Sequence, residues 1–422
     1  VPLGCQLSAT GIGESEGGLS EGGLLLGSGW AGPSPPIPPD QDAAPGLVAA
    51  FEGCDWERLS FQALMQAVKQ DDSVGAREIL KPYEKGLALA KAASLQPRAH
   101  FKRDWDLGLV QGFEYAVAEK AIVRTLYARA EMEAKEGRID PSVDDLATAK
   151  RLTKLVGNDP TVIMMLVEIA LDAIIQRFVQ EISGHWAQNS TALRALSSIA
   201  NDEMRPDLVR ICRAEAYTAL ASLRNYDPIY LTKTQFDSDG PPKRIDNKEL
   251  LHTGYPSNPA SRRLMTKMLS AWTQLAGHFD EIQKDPSRID PIQSKIAKSL
   301  WGAGEEEEGA RMACFDPMGT GIALGTREQA LDRCTNALVQ ALEIHARTGS
   351  YPKTIQDIPG TWVDPFNKGP LKLKLTSQGI RIYSIGPDLK DDGGISQNET
   401  PMFAQKGWDV VASYPPISSR YR

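Results

Sequence analysis

The chain is 422 residues long, 41% hydrophobic and 24% charged, with a net charge of −7. That length allows two or three domains with real cores, and the usage is that of an ordinary globular protein. An acidic chain without a dense basic cluster argues against nucleic acid or an anionic membrane as a partner, because both favour a positive stripe.

Residues 1–45 are rich in Gly, Ser and Pro, as in Gly17-Gly18, Gly22-Gly23 and Pro33-Ser34-Pro35-Pro36. Such a segment buries too little to offset its ordering entropy, so a flexible leader is expected. The opening Val1-Pro2-Leu3-Gly4-Cys5 is a poor lipobox, with Pro2 where an aliphatic residue belongs. An anchoring segment would have to lie upstream of Val1.

Residues 46–303 read as a helical body. Gly137-Arg138-Ile139-Asp140-Pro141 has the grammar of a helix stop followed by an Asp cap and a first-turn proline, and Gly157-Asn158-Asp159-Pro160 repeats it. Asp290-Pro291 and Pro206-Asp207 supply two more starts. Val110, Phe113, Val117, Ala121 and Leu126 draw one apolar stripe, and Leu146, Ala149, Leu152 and Leu155 the next. Residues 161–182 are apolar nearly all round, the pattern of a central helix. Their longest apolar run, Val162 to Ile175, is interrupted by Glu168 and Asp172 and falls short of the roughly 20 residues that span a bilayer. Helix pairs joined by short turns without a fixed period imply an irregular antiparallel helical repeat. Prolines and Gly240 mark a long loop at 225–258. A Gly- and Glu-rich linker is expected at 304–325, its Glu305 to Glu308 run a solvated loop.

The last segment, 326–422, reads as a small α+β module. Thr326 can cap a long helix that Gly349 ends, with Leu331, Ala337, Leu338, Leu342 and Ile344 as its apolar face. Leu371-Lys372-Leu373-Lys374-Leu375 alternates as a half-buried strand does, and Ile380, Ile382 and Ser384 give a second after the Ser377-Gln378-Gly379 turn. The expected fold is mainly α, a helical-repeat body with a long helix and an antiparallel β hairpin or sheet at its end.

After the hairpin comes an acidic loop, Gly386-Pro387-Asp388-Leu389-Lys390-Asp391-Asp392-Gly393-Gly394. Clustered carboxylates with the carbonyls of a glycine turn suit Ca²⁺, which takes six to eight oxygens. Asp and Gly are equally the residues of a plain solvated turn, so both readings stand. Asp388, Asp391, Asp392 and Asp409 are the candidate ligands, although fourteen residues separate Gly394 from Asp409.

Tyr351-Pro352 after the long helix, Asp364-Pro365-Phe366, the hairpin, Tyr383-Ser384-Ile385-Gly386-Pro387-Asp388 and the closing Trp408-Asp409-Val410 resemble, over residues 327–412, the globular end of type II secretion major pseudopilins. The resemblance implies a pilin-like α+β fold and a calcium ion in the loop after the hairpin. The chain as a whole, with Pro39-Asp40-Gln41-Asp42-Ala43-Ala44-Pro45 introducing the body, resembles a class of envelope proteins of planctomycete-type bacteria. That implies an extracytoplasmic or periplasmic place and other envelope proteins as partners. Pseudopilins assemble through an N-terminal membrane helix, which this sequence does not display, so filament assembly is not expected.

Other motifs are weaker. The five cysteines show no metal-ligand spacing, with a Cys314–Cys334 bridge left open. Gly319-Thr320-Gly321 with Gly325 lacks the Lys-Ser/Thr step of a phosphate loop. His100, His185, His252, His278 and His345 stand alone, and no nucleophile elbow occurs. Asp144-Asp145 reads as an ordinary helix-start pair. The expected function is a non-catalytic envelope scaffold or interaction protein with a calcium-stabilised pilin-like module. One alternative is a component of secretion or pilus-like machinery. Another is an envelope-polymer hydrolase whose fold assembles acids such as Glu168 and Asp172.

Overall fold

The computed structural model describes residues 37–101, 114–201, 289–301, 316–396 and 408–417, with Trp105 and single positions between 207 and 288. The protein is mainly helical, with a small antiparallel sheet at its C-terminal end. The expected long loop at 225–258 and most of the expected leader lie outside the described residues.

Structure begins earlier than the leader reading allowed. After a 3-10 turn at Pro39–Gln41, Asp42 Oδ1 accepts the amides of Ala44 and His100, each at 2.9 Å. That fastens the start of α1 (Ala44–Glu52) to a distant segment and buries Ala43 and Ala44. Next come α2 (Phe61–Lys69), α3 (Ser73–Leu80) and α4 (Glu84–Ala93). Side chains of Ser60 and Asp72 accept the Ala63 and Gly75 amides, so the starts of α2 and α3 are ordinary N-caps.

The body continues with α5 (Glu114–Lys135), α6 (Ile139–Val156), α7 (Val162–His185) and α8 (Ser190–Ala200). Gly137 takes φ 75°, as the expected stop requires, but α6 then starts at Ile139 and carries Asp140 inside its first turn. The next start is also displaced. Thr161, not Asp159, caps α7 by accepting the Met164 amide at 3.2 Å, and Asp159 instead accepts the Tyr115 hydroxyl. Asp207 accepts the Arg210 amide at 3.0 Å, as a helix start there requires. Leu146, Ala149, Leu152 and Leu155 are buried as their spacing implies. Of the α5 stripe, Leu126 is buried but Val117 is 65% exposed, and Ile122, Val123 and Tyr127 complete the buried face; Val110 and Phe113 lie outside the described residues. Asp145 is no surface helix-start acid either, because it is buried in a two-pronged ion pair with Arg129 at 2.6 Å. Among the described residues no helix is long and apolar enough to cross a membrane.

After α9 (Ile289–Trp301), the last helix α10 (Asp316–Thr348) begins ten residues before its expected cap. The end of the expected linker is therefore helix, and the Thr326 hydroxyl bonds back to the Ile322 carbonyl at 3.0 Å instead of capping. Two of the glycines that suggested a linker, Gly321 and Gly325, serve close packing. A Cβ on Gly321 would collide with the Met165 methyl of α7, and Ile169 lies against Gly325. Gly349, at φ 77°, ends the helix.

The strands β1 (Lys372–Leu375), β2 (Ile380–Ser384) and β3 (Val410–Tyr414) pair in the order β1-β2-β3, all antiparallel. Asp364 ties the sheet's approach: its carboxylate accepts the Ser384 hydroxyl at 2.9 Å and the Phe366 and Ile385 amides at 2.9 and 3.0 Å. One side of α10 lies on β2 and β3, and the other packs on α7 and α8. A single apolar core consequently runs from Leu47 of α1 through Leu152, Ile175 and Leu338 to Ala412 of β3. A smaller core around Met165, Ile292, Ile296 and Ile322 joins α9 to α7 and the start of α10. The helical body and the C-terminal module share their interior.

A buried carboxylate cluster as candidate metal centre

Four polar side chains of α7 stand at a step of four: Glu168, Asp172, Gln176 and Gln180. A step of four keeps side chains on one helical face, so these four form a polar stripe along α7. On α10, Glu328, Asp332 and Thr335 form the opposing stripe. The two face each other. Gln176 Nε2 donates to Asp332 Oδ1, and Gln180 Nε2 donates to Thr335 Oγ1 at 3.0 Å. Gln180 Oε1 accepts the Ser413 amide at 3.4 Å, so one side chain links α7, α10 and β3.

From α6, Lys150 enters between the stripes. Its ammonium hydrogen-bonds Asp172 Oδ1 and reaches Asp332 Oδ1 at 3.5 Å. Ligand atoms of Asp172, Glu328 and Asp332 all lie within 4.8 Å of one another, and this buried carboxylate cluster could hold a metal ion. It is deep in the protein: Asp332 is 0% exposed, Asp172 1%, Lys150 2%, Glu328 4% and Glu168 7%. Three atoms at the cluster are buried without a hydrogen-bond partner, namely Asp172 Oδ2, Glu328 Oε1 and Gln176 Oε1.

The electrostatics follow from having one cation among several acids. Burial pushes Glu168 up to about 8, reinforced by Asp172 and opposed by Lys150 and Lys154. Burial also drives Glu328 well above the ordinary carboxylate value, with Asp172 and Asp332 adding to the rise. Glu119 of α5, beside Glu168, is raised for the same two reasons. Lys150 goes the other way from most buried lysines. Burial lowers it, but Asp172 and Asp332 together outweigh that and hold its proton more firmly.

The acidic loop places its residues differently. Half-buried Asp388 accepts the Lys390 amide at 3.1 Å within its own turn. Exposed Asp391 pairs with Lys372 of β1 at 2.6 Å and accepts the Gly393 amide at 3.0 Å, and the Lys372 bond holds its carboxyl below the usual range. Asp409 is buried and accepts the Gly394 and Asp392 amides at 2.6 and 3.4 Å, which ties β3 to the loop. Burial nonetheless raises its carboxyl, with the charges of Asp392 and Asp391 adding to the effect. Asp392 Oδ2 is buried with no partner. Among the described residues, the loop carboxylates do not form a group of three with metal-ligand spacing, whereas the cluster between α7 and α10 does.

The chain matches no family model, no curated protein and no solved structure.

Sequence reasoning singled out Glu168 and Asp172 as breaks in an apolar run but did not find Lys150, Glu328 or Asp332. A usable signal exists. Glu168-x-x-x-Asp172 on α7 repeats as Glu328-x-x-x-Asp332 on α10, and paired acids at a helical step inside two apolar helices mark two polar faces that need each other. Cys334 is a free thiol buried against β3, where it donates to the Val410 carbonyl at 3.5 Å, and Cys314 lies outside the described residues.

Proposed function

We propose that the protein is a non-catalytic cell-envelope scaffold or interaction protein, with a pilin-like C-terminal module stabilised by Ca²⁺. The observation that supports this best is the α7–α10 seam. Among the described residues, the group of three carboxylates with metal-ligand spacing joins the body to the module, at 4% exposure or less, instead of lining an open face. An acid that protonates or attacks a substrate has to touch it. The fold does gather distant carboxylates, as a hydrolase would need, but it points them at a lysine and at neighbouring helices.

For calcium, the loop offers one fitting feature: the unpartnered Asp392 Oδ2, close to the buried Asp409. Asp392 and Asp409 are the proposed holders there, with Asp388 and Asp391 completing the set if Lys372 releases Asp391. Ca²⁺ would supply charge compensation and order the segment between β2 and β3. An extracytoplasmic place and envelope partners belong to the same proposal, through the pseudopilin resemblance.

Two measurements test it. Purified protein incubated with envelope polymer is expected to release no soluble fragments. Release that disappears in Glu168→Gln would turn the reading to a hydrolase. In a thermal melt, millimolar Ca²⁺ after chelation is expected to raise Tm, because an ion that binds only the native state stabilises it by mass action. Asp392→Asn should abolish the part of that rise that belongs to the loop; an undiminished rise in the variant removes the loop site.

A further inference from the structure

We infer that the interior seam holds a hard divalent cation of its own, bound by Asp172 and Glu328 with Asp332, and independent of the loop. Three carboxylates with one ammonium leave two negative charges in a fully buried place. One divalent cation balances them. Isolated charges are not tolerated in an apolar interior, so the cluster must take up protons or a cation.

The arrangement favours the cation. Lys150 takes Asp172 Oδ1, and Gln176 Nε2 takes Asp332 Oδ1. These bonds fix the two carboxylates from behind, the way outer partners orient metal ligands. What remains is Asp172 Oδ2, Glu328 Oε1 and, on the amide whose Nε2 holds Asp332, the neutral Gln176 Oε1, each buried and without a hydrogen-bond partner. The Gln176 oxygen is an observation separate from the acids, because an amide carbonyl takes up no proton at any ordinary pH yet is a good ligand for a hard ion. A carboxyl proton donates to one acceptor at a time, whereas one cation would serve that oxygen and both unpartnered carboxylate oxygens together. The donor set is entirely oxygen, without a histidine or thiolate, which selects Ca²⁺, Mg²⁺ or Mn²⁺ over zinc or copper.

The ligands come from α7 and α10, so the ion would fasten the body to the C-terminal module at the centre of their contact. Lys150 would act as a positioning residue, and Gln176 would both hold Asp332 and offer its oxygen to the ion.

The test uses the full chain, stripped with chelator and returned to CaCl₂, MgCl₂ or MnCl₂ separately. It compares wild type, Glu328→Gln and the loop variant Asp392→Asn. Glu328→Gln keeps the shape of a protonated glutamic acid and so preserves the fold. The expected result is a Tm rise of about 3–8 °C with at least one of the three ions, retained in Asp392→Asn and lost in Glu328→Gln. Elemental analysis of the unstripped protein should give an equivalent of that ion that Glu328→Gln lacks. The inference is overturned if none of the ions moves Tm and the unstripped protein carries none. It is also overturned if the rise survives Glu328→Gln and vanishes in Asp392→Asn, which puts the only ion in the loop. Equally, a Glu328→Gln protein that melts higher than wild type with every ion response unchanged would show that the seam holds protons.

Discussion

Lys150 shows how a single side chain can decide the fate of several others. With its ammonium in place, Asp172 and Asp332 keep a charged partner in an interior that would otherwise reject them. Removing one member of a buried pair strands the other, so Lys150→Met in metal-free buffer should lose about 3–5 kcal/mol by urea denaturation. A loss under 1 kcal/mol would mean that the acids are already neutral. Glu168 gives the complementary pH dependence. Its folded value of about 8 lies above the ordinary 4.5, so the native state binds a proton that the unfolded chain has released. Its contribution to stability is therefore greatest at low pH and is lost as pH rises from about 4.5 to 8. Glu168→Gln should remove part of that slope in metal-free protein, an effect on the order of a few kcal/mol between the ends of the window. An unchanged slope would place the ionisation elsewhere.

At the scale of elements, the C-terminal sheet depends on one acid that its motif already displayed. Asp364 accepts three hydrogen bonds that close the turn at Phe366 and fix the end of β2. Asp364→Ala should cost about 2–4 kcal/mol, since it leaves buried donors unpaired, with a lower urea midpoint and unaltered helical circular dichroism; an unchanged midpoint would contradict it. The first two strands and helices α5, α6 and α7 were legible in the sequence because alternation and helical stripes are local signals. Leu146 to Leu155, the strand from Ile380 to Ser384 and the stop at Gly349 all follow from spacing and turn chemistry. What was not legible depended on neighbours. Gly321 and Gly325 read as linker because glycine disfavours an isolated helix, yet they admit Met165 and Ile169 into a helix contact. Asp140 and Asp159 matched the cap pattern, but Arg138 and Thr161 occupy the cap positions. The carboxylate cluster stayed hidden because Asp172 and Asp332 are 160 positions apart, and only the packing of α7 on α10 brings them together.

For the whole molecule, the decisive fact is that α10 belongs to two structures at once. It is the long helix under the sheet and also the partner of α7 and α8. The apolar core passes through it without a break, and Gln180 joins α7, α10 and β3. A pilin-like module carried by a linker would fold and open independently; a module that shares its main helix with the body would not. Native-state hydrogen exchange, followed peptide by peptide across increasing urea, tests this directly. Amides of α7, α10, β2 and β3 are expected to open together, with one free energy and one denaturant dependence. A sheet that exchanges at a clearly lower free energy while α6 and α7 stay protected would contradict a shared core, and the scaffold reading built on it.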